Sequence, residues 1–139
     1  AVRVLRADAD LPPGQQIPLV VEGAGTAALL AEAPVFASLA RVVLRAGDGV
    51  AAGASLAQPV DDLVLRLPFD GVVDVDAWRA KQEKRLATQR AEAARSRGKL
   101  AQERFVASAP ADVVAEERRR LAEAERMAAA IEASLAQVG

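Results

Sequence analysis

From Asp76 onward the sequence offers two long runs in which nothing stops a helix, and this constrains the fold more than any other feature. The first run, Asp76 to about Glu103, has no proline and a single glycine, Gly98. The second, Pro110 to Val138, has neither after its opening proline. Both are dense in Ala, Arg, Lys, Glu, Gln and Leu, which are strong helix formers. The breaker between them, Arg104 to Pro110, is too short to let the two helices part, so they are expected to fold back as an antiparallel hairpin. At 1.5 Å of rise per residue, each helix would extend about 40 Å. About 70 residues remain for everything else, enough for a small core only.

The second run carries a heptad seam. Val114, Leu121, Ala128 and Leu135 recur every seven residues, with Glu117, Ala124, Ile131 and Val138 at the companion positions. The matching stripe on the first run is Gln82, Leu86, Gln89, Ala93, Ser96 and Leu100, more polar than a stable coiled coil requires. Folding back at Phe105 places Leu86 near Ala128 and Ala93 near Leu121, large against small. Gly98 weakens its helix by about 1 kcal/mol relative to alanine, as a tolerated defect or as a place where another backbone comes close. Trp78 is read as packing.

The first half reads as a small α+β subdomain. Ala1 to Ala9 forms the end of a helix, stopped by Leu11-Pro12-Pro13-Gly14. Ile17 to Glu22 is a strand, and Thr26 is placed to cap a helix whose apolar face is Leu29, Leu30, Val35, Phe36 and Leu39. Pro34 divides that helix into two pieces. Val42 to Arg45 is a second strand, ending at the turn Gly47-Asp48-Gly49 and a small-residue loop through Gly53. Leu56 to Gln58 and Leu63 to Leu67 make two more strands around a turn at Pro59 to Asp62. The domain scheme is thus 1–9, the end of a helix, then 10–73, the α+β subdomain, and 74–139, the two-helix arm.

Charge is segregated along the chain although the total is only −1. Residues up to Asp76 carry about −5, residues 77–104 about +6 and the second helix about −2. Arg90, Arg97 and Arg104 lie seven apart on one flank of the seam, and Lys81, Lys84, Arg95 and Lys99 fall on the outward face. Charge runs are commonly solvated faces whose arginines pair with glutamates of a neighbouring helix. Here the excess on one rod exceeds what pairing absorbs, which favours a polyanion. The candidate nucleic-acid residues are Lys81, Lys84, Arg90, Arg95, Arg97, Lys99 and Arg104, with Phe105 as the sole aromatic. Arg118, Arg119 and Arg120 are expected to contribute less, because Glu116, Glu117, Glu123 and Glu125 surround them. With no ladder of aromatics to stack bases, recognition would be of backbone and shape.

The sequence contains no cysteine and no histidine. That excludes thiol chemistry, disulfides, Cys/His metal sites and histidine acid-base work, so no catalytic or metal residues are assigned. No apolar run approaches a membrane span and no signal peptide opens the chain, so a cytoplasmic location is expected. The uncapped start at Ala1 reads as a piece of something longer. Gly23-Ala24-Gly25 and Gly47-Asp48-Gly49 are turn signals rather than phosphate loops.

Several motifs together resemble one family. Leu11-Pro12-Pro13-Gly14, then Pro68-Phe69-Asp70-Gly71-Val72-Val73-Asp74-Val75, then Gly98-Lys99-Leu100 and Phe105-Val106-Ala107-Ser108-Ala109-Pro110-Ala111-Asp112-Val113-Val114 with Glu117-Arg118 are similar to the C-terminal region of bacterial valyl-tRNA synthetases. The resemblance covers essentially the whole chain. It implies that residues 1–9 end an anticodon-binding domain, that 10–73 is a linker subdomain, and that 74–139 is a coiled-coil arm reaching the outer corner of tRNA, where the D and T loops meet. It also implies valine tRNA as partner, with neither DNA nor membrane, and a monomeric chain without cofactor. ATP and Mg belong to the parent ligase, whose His-Ile-Gly-His-like signature a chain without histidine cannot contain. The sequence departs from the family pattern at Gln82, Gln89 and Ser96, where leucine-like residues are usual. Two other classes stay open on the residues alone, a protein-interaction hairpin using Phe105, Val106, Val113 and Val114, and a self-associating coiled coil.

Overall fold

The computed structural model describes residues 1–47 and 53–138. The centre of the Gly47-Asp48-Gly49 turn and most of the loop read after it lie outside the described residues. The chain forms two compact units, Ala1–Trp78 with Ala136–Gly139, and Arg79–Leu135. Helix and sheet share the first unit, and the second is helical.

In the first unit α1 (Val2–Asp8) is followed by β1 (Ile17–Gly23), α2 (Thr26–Ala31), α3 (Ala33–Ala40), β2 (Val42–Ala46), β3 (Ser55–Val60) and β4 (Leu63–Pro68). The four strands form one sheet in the order β2-β1-β4-β3, with β1 and β2 parallel and the other pairs antiparallel. The parallel pair needs a crossover, and α2 and α3 supply it. Pro18 is tolerated in β1 because only β2 pairs at that level, β4 joining from Val20 onward. Pro59 lies in β3, an edge strand, for the same reason. The strand therefore extends through Val60, and the turn is Asp61-Asp62 rather than the longer one starting at Pro59. Gly23 has φ +120, and a Cβ there would lie 2.2 Å from the Asp62 carbonyl oxygen, so only glycine fits.

Ile17, Leu19, Val21, Val42, Leu67 and Phe69 are completely buried, as alternation along the strands requires, and Leu5 of α1 joins them at 1% exposure. α1 is thus part of this unit's core. Arg6 binds it further. Its guanidinium donates to the carbonyls of Pro12 at 3.1 Å, Gln15 at 2.7 Å, Ala40 at 2.8 Å and Arg41 at 3.2 Å, and burial lowers its pKa. Trp78 packs edge-on to Phe69, ring centroids 5.2 Å apart, and donates its indole N–H to the Asp8 carbonyl at 2.7 Å, which bears out the packing role. Gln137 reaches edge strand β3, accepting from the Ala57 amide at 2.9 Å.

Two expectations for the crossover are corrected. Gly25, not Thr26, stands at the N-cap of α2; the Thr26 hydroxyl donates back to the Gly23 carbonyl at 2.8 Å. The apolar face is not buried either, with Val35 48% and Leu39 82% exposed. The break at Pro34 divides the stripe between two short helices, which cannot present one continuous face.

The second unit contains most of two long helices, α4 (Val75–Leu100) and α6 (Ala111–Val138), separated by α5 (Glu103–Ser108). Asp74 caps α4, its carboxylate accepting from the Ala77 amide at 2.9 Å. The breaker is therefore itself a short helix. Gln102 turns extended (φ −82, ψ 108) and ends α4 earlier than expected, and Ala109 turns extended before Pro110, as a residue preceding proline prefers. The expected stripe is the buried one: Gln82, Leu86, Ala93 and Ser96 on α4, and Val114, Glu117, Ala124, Ala128 and Ile131 on α6. Leu86, Ala128, Ile131 and Leu135 form one cluster, which contains the expected Leu86–Ala128 pair.

Candidate nucleic-acid interface

Residues 79–135 contain thirteen Lys and Arg against nine Asp and Glu. Where those charges go depends on the two long helices. Arg90 donates to Glu132 at 2.6 Å and Arg97 to Glu125 at 2.5 Å. Seven residues forward on α4 is seven residues back on α6, so the pairings run antiparallel and form two rungs of a ladder along one flank. On another side, Lys99 reaches the buried Glu117 at 3.3 Å. The Glu117 carboxyl is held below its usual range, first by the Ser96 hydroxyl against the opposing effect of burial, then by Lys99 and Arg120.

The candidate residues are thus distributed unequally. Arg90, Arg97 and Lys99 are committed to glutamates of α6, and Arg95 to Glu92 on its own helix at 3.0 Å. Lys81 is also engaged. Lys84 and Arg104 are exposed, their side chains making neither hydrogen bond nor ion pair among the described residues, and Phe105 is half-buried in α5. Within the expected excess of positive charge, Arg90 and Arg97 are paired, because Glu125 and Glu132 repeat at the same seven-residue interval on the facing helix. That spacing is legible in the sequence once the antiparallel register is fixed.

Arg118 differs from its neighbours Arg119 and Arg120 in having no ion pair among the described residues. Its neighbouring glutamates are occupied elsewhere: Glu116 by Arg119 and Arg120, Glu117 by Lys99, Glu123 by Arg126 and Glu125 by Arg97. Arg118 itself is exposed without a partner among the described residues. Arg85 donates only to the neutral Gln82 amide, at 3.2 Å, whose nitrogen is buried and unpartnered. Chemically, this unit offers exposed cations in excess of its acids. Among the described residues no group of three or more acidic, His or Cys side chains is placed to hold a metal ion, and no helix is long and apolar enough to cross a membrane.

Comparison with known proteins gives this arrangement a context. Residues 74–139 match the family described as the valyl tRNA synthetase tRNA binding arm. Over all 139 residues the chain is 40% identical to a valine-tRNA ligase of Thermus thermophilus, covering 100% of this chain and 16% of that protein. It is 34% identical over 139 residues to a valine-tRNA ligase of Deinococcus radiodurans, covering 100% of this chain and 15% of that protein. It is 39% identical over 137 residues to one of Streptomyces coelicolor, covering 96% of this chain and 15% of that protein. The chain therefore spans about one-sixth of the length of the curated relatives it matches.

Proposed function

We propose that the chain, whose residues 74–139 match the valyl-tRNA synthetase tRNA-binding arm, belongs to that family as a non-catalytic region that holds tRNA for a reaction performed elsewhere in a longer parent ligase. In this reading α4 and α6 form an antiparallel coiled coil that meets the outer corner of tRNA, where the D and T loops join, and supports aminoacylation with valine by orienting the substrate. ATP and Mg would serve the parent's catalytic region, the fragment acting as a cytoplasmic monomer. The observation that carries the reading is the segregation of charge: thirteen cations against nine anions in residues 79–135, in the stretch that matches the family.

The ion pairs do not oppose it. Arg90 and Arg97 are matched by Glu132 and Glu125, but the side chains of Lys84, Arg104 and Arg118 are exposed without a partner among the described residues, so cations remain free for phosphates. No constellation that reads base edges accompanies them, so binding should not depend on the anticodon. Titrating the chain with valine tRNA and an unrelated elongator tRNA, each at two salt concentrations, tests this. Similar affinities that fall steeply with salt are expected. Binding that is insensitive to salt, or absent, would overturn the reading in favour of a protein-interaction surface. Sedimentation over a concentration series checks the monomer against self-association.

A further inference from the structure

The ladder along α4 and α6 has two closed rungs and an open end. Arg90 meets Glu132 and Arg97 meets Glu125. A further step of seven residues along each helix reaches Arg104 and Arg118, and here the α6 position holds arginine where the two preceding rungs hold glutamate. Like charges facing each other destabilise a helix pair. The chain does not make that rung: α4 ends at Leu100, Gln102 turns extended, and Arg104 leaves on α5.

Both guanidiniums are exposed, and among the described residues neither has a partner. Glu116, Glu117, Glu123 and Glu125 are each held by another cation. The remaining acids of this stretch, Glu103 and Asp112, lie in the first turns of α5 and α6. There they complement the positive helix ends. Between the two arginines in sequence stand Phe105, half-buried, and Val106 and Val113, 39% and 42% exposed. Free cations beside exposed apolar side chains suit a nucleic acid, whose phosphates alternate with sugar and base surface. The side chains of Arg79 and Lys84 also have no partner among the described residues, but α4 alone supplies them and no large exposed apolar residue lies within ten positions of them in sequence.

We infer that Arg104 and Arg118 form the principal phosphate-binding pair of the arm, while Arg90 and Arg97 serve mainly to clasp its helices. The assignment rests on the tRNA reading and divides its charges into two roles. Binding of a structured tRNA transcript to the full chain, measured across a salt series, tests it. The R104Q/R118Q chain should bind at least tenfold more weakly at low salt and lose about two units of salt slope, one per phosphate contact, with its melting temperature unchanged. R104K/R118K should retain most of the slope. R90Q/R97Q should melt earlier yet keep nearly the wild-type slope. R118E is the sharpest arm of the test, because restoring the ladder's glutamate removes a phosphate contact without harming the helix pair: affinity should fall while the melting temperature holds or rises. Wild-type binding that survives R104Q/R118Q undiminished, or a larger loss of slope in R90Q/R97Q, overturns this assignment alone. Failure of the wild-type chain to bind tRNA in a salt-dependent way overturns the tRNA reading, and the assignment with it.

Discussion

Replacing Arg6 by methionine should unfold the first unit far more readily than its place on a short N-terminal helix suggests. The side chain is 7% exposed and its guanidinium donates to four carbonyls, those of Pro12, Gln15, Ala40 and Arg41. One group therefore ties α1 to the Pro12-Pro13 turn and to the end of α3, where Arg41 adopts a left-handed conformation (φ 50, ψ 49). Hydrogen bonds to a charged group contribute roughly 1.5–3 kcal/mol each, so four independent bonds would sum to roughly 6–12 kcal/mol. The true loss is smaller, since the bonds share one side chain and part of the carbonyl surface regains water. Breaking a buried charged network costs about 3–5 kcal/mol, and methionine recovers some packing, so about 3 kcal/mol is expected. For a unit of this size that lowers the melting temperature by at least about 12 °C. Trp78 is the only tryptophan, and its indole donates to the Asp8 carbonyl, so its fluorescence reports on α1 directly. Arg6→Lys should restore only part of the loss, because one ammonium with three donors cannot serve four carbonyls. A tryptophan-monitored melt of Arg6→Met within about 2 °C of wild type would refute the network's importance.

Other outcomes follow for the helical unit. Leu86→Ala, in the cluster with Ala128, Ile131 and Leu135, should cost about 2–4 kcal/mol in a helicity-monitored melt, whereas Leu121→Ala, only half-buried, should cost about 1–2 kcal/mol. Gly98→Ala should stabilise α4 by about 0.5–1 kcal/mol, since a Cβ there meets nothing within 4 Å; a lower melting temperature would show a hidden contact. Glu117 has a depressed carboxyl pKa, so its contribution is present above the ordinary value of 4.5 and is lost as pH falls through the lower folded value. Acid melts of Glu117→Gln should accordingly lose less stability below pH 4.5 than the wild type; parallel curves would remove Glu117 from the account.

The seam could be read from the sequence because a heptad depends only on spacing, and each position named from it proves buried or half-buried, polar ones included. The strands were found for a similar reason, through local apolar runs bounded by Gly and Pro. What escaped depends on partners distant in the chain. Arg6 looks like any surface arginine until Ala40 and Arg41 are brought to it, thirty-four and thirty-five residues away. The missed exposure of Leu39 has the same origin: the sequence tells that a stripe is apolar, but not that a proline has divided it between helices too short to share a buried face.

Counting charges along α4 misjudged the individual side chains for a reason that holds for any two-helix arm. A net charge belongs to a segment, whereas the field felt by a phosphate belongs to those cations that the facing helix leaves unneutralised. α6 carries fewer cations than anions, yet its acids are spent on particular rungs: Glu132 and Glu125 on Arg90 and Arg97, Glu117 on Lys99, Glu116 on Arg119 and Arg120. An acidic helix can thus disarm the richest part of a basic helix and still hold an open arginine of its own at residue 118. Only the register decides which, since a shift of one heptad would bring Arg118 opposite Arg97 and Glu125 opposite Arg90. The buried polar residues Ser96 and Glu117 are what oppose such a shift, because moving them would part Glu117 from Ser96 and leave it buried without its compensation. In this arm the polar seam, a weakness by stability alone, fixes where the positive charge is displayed.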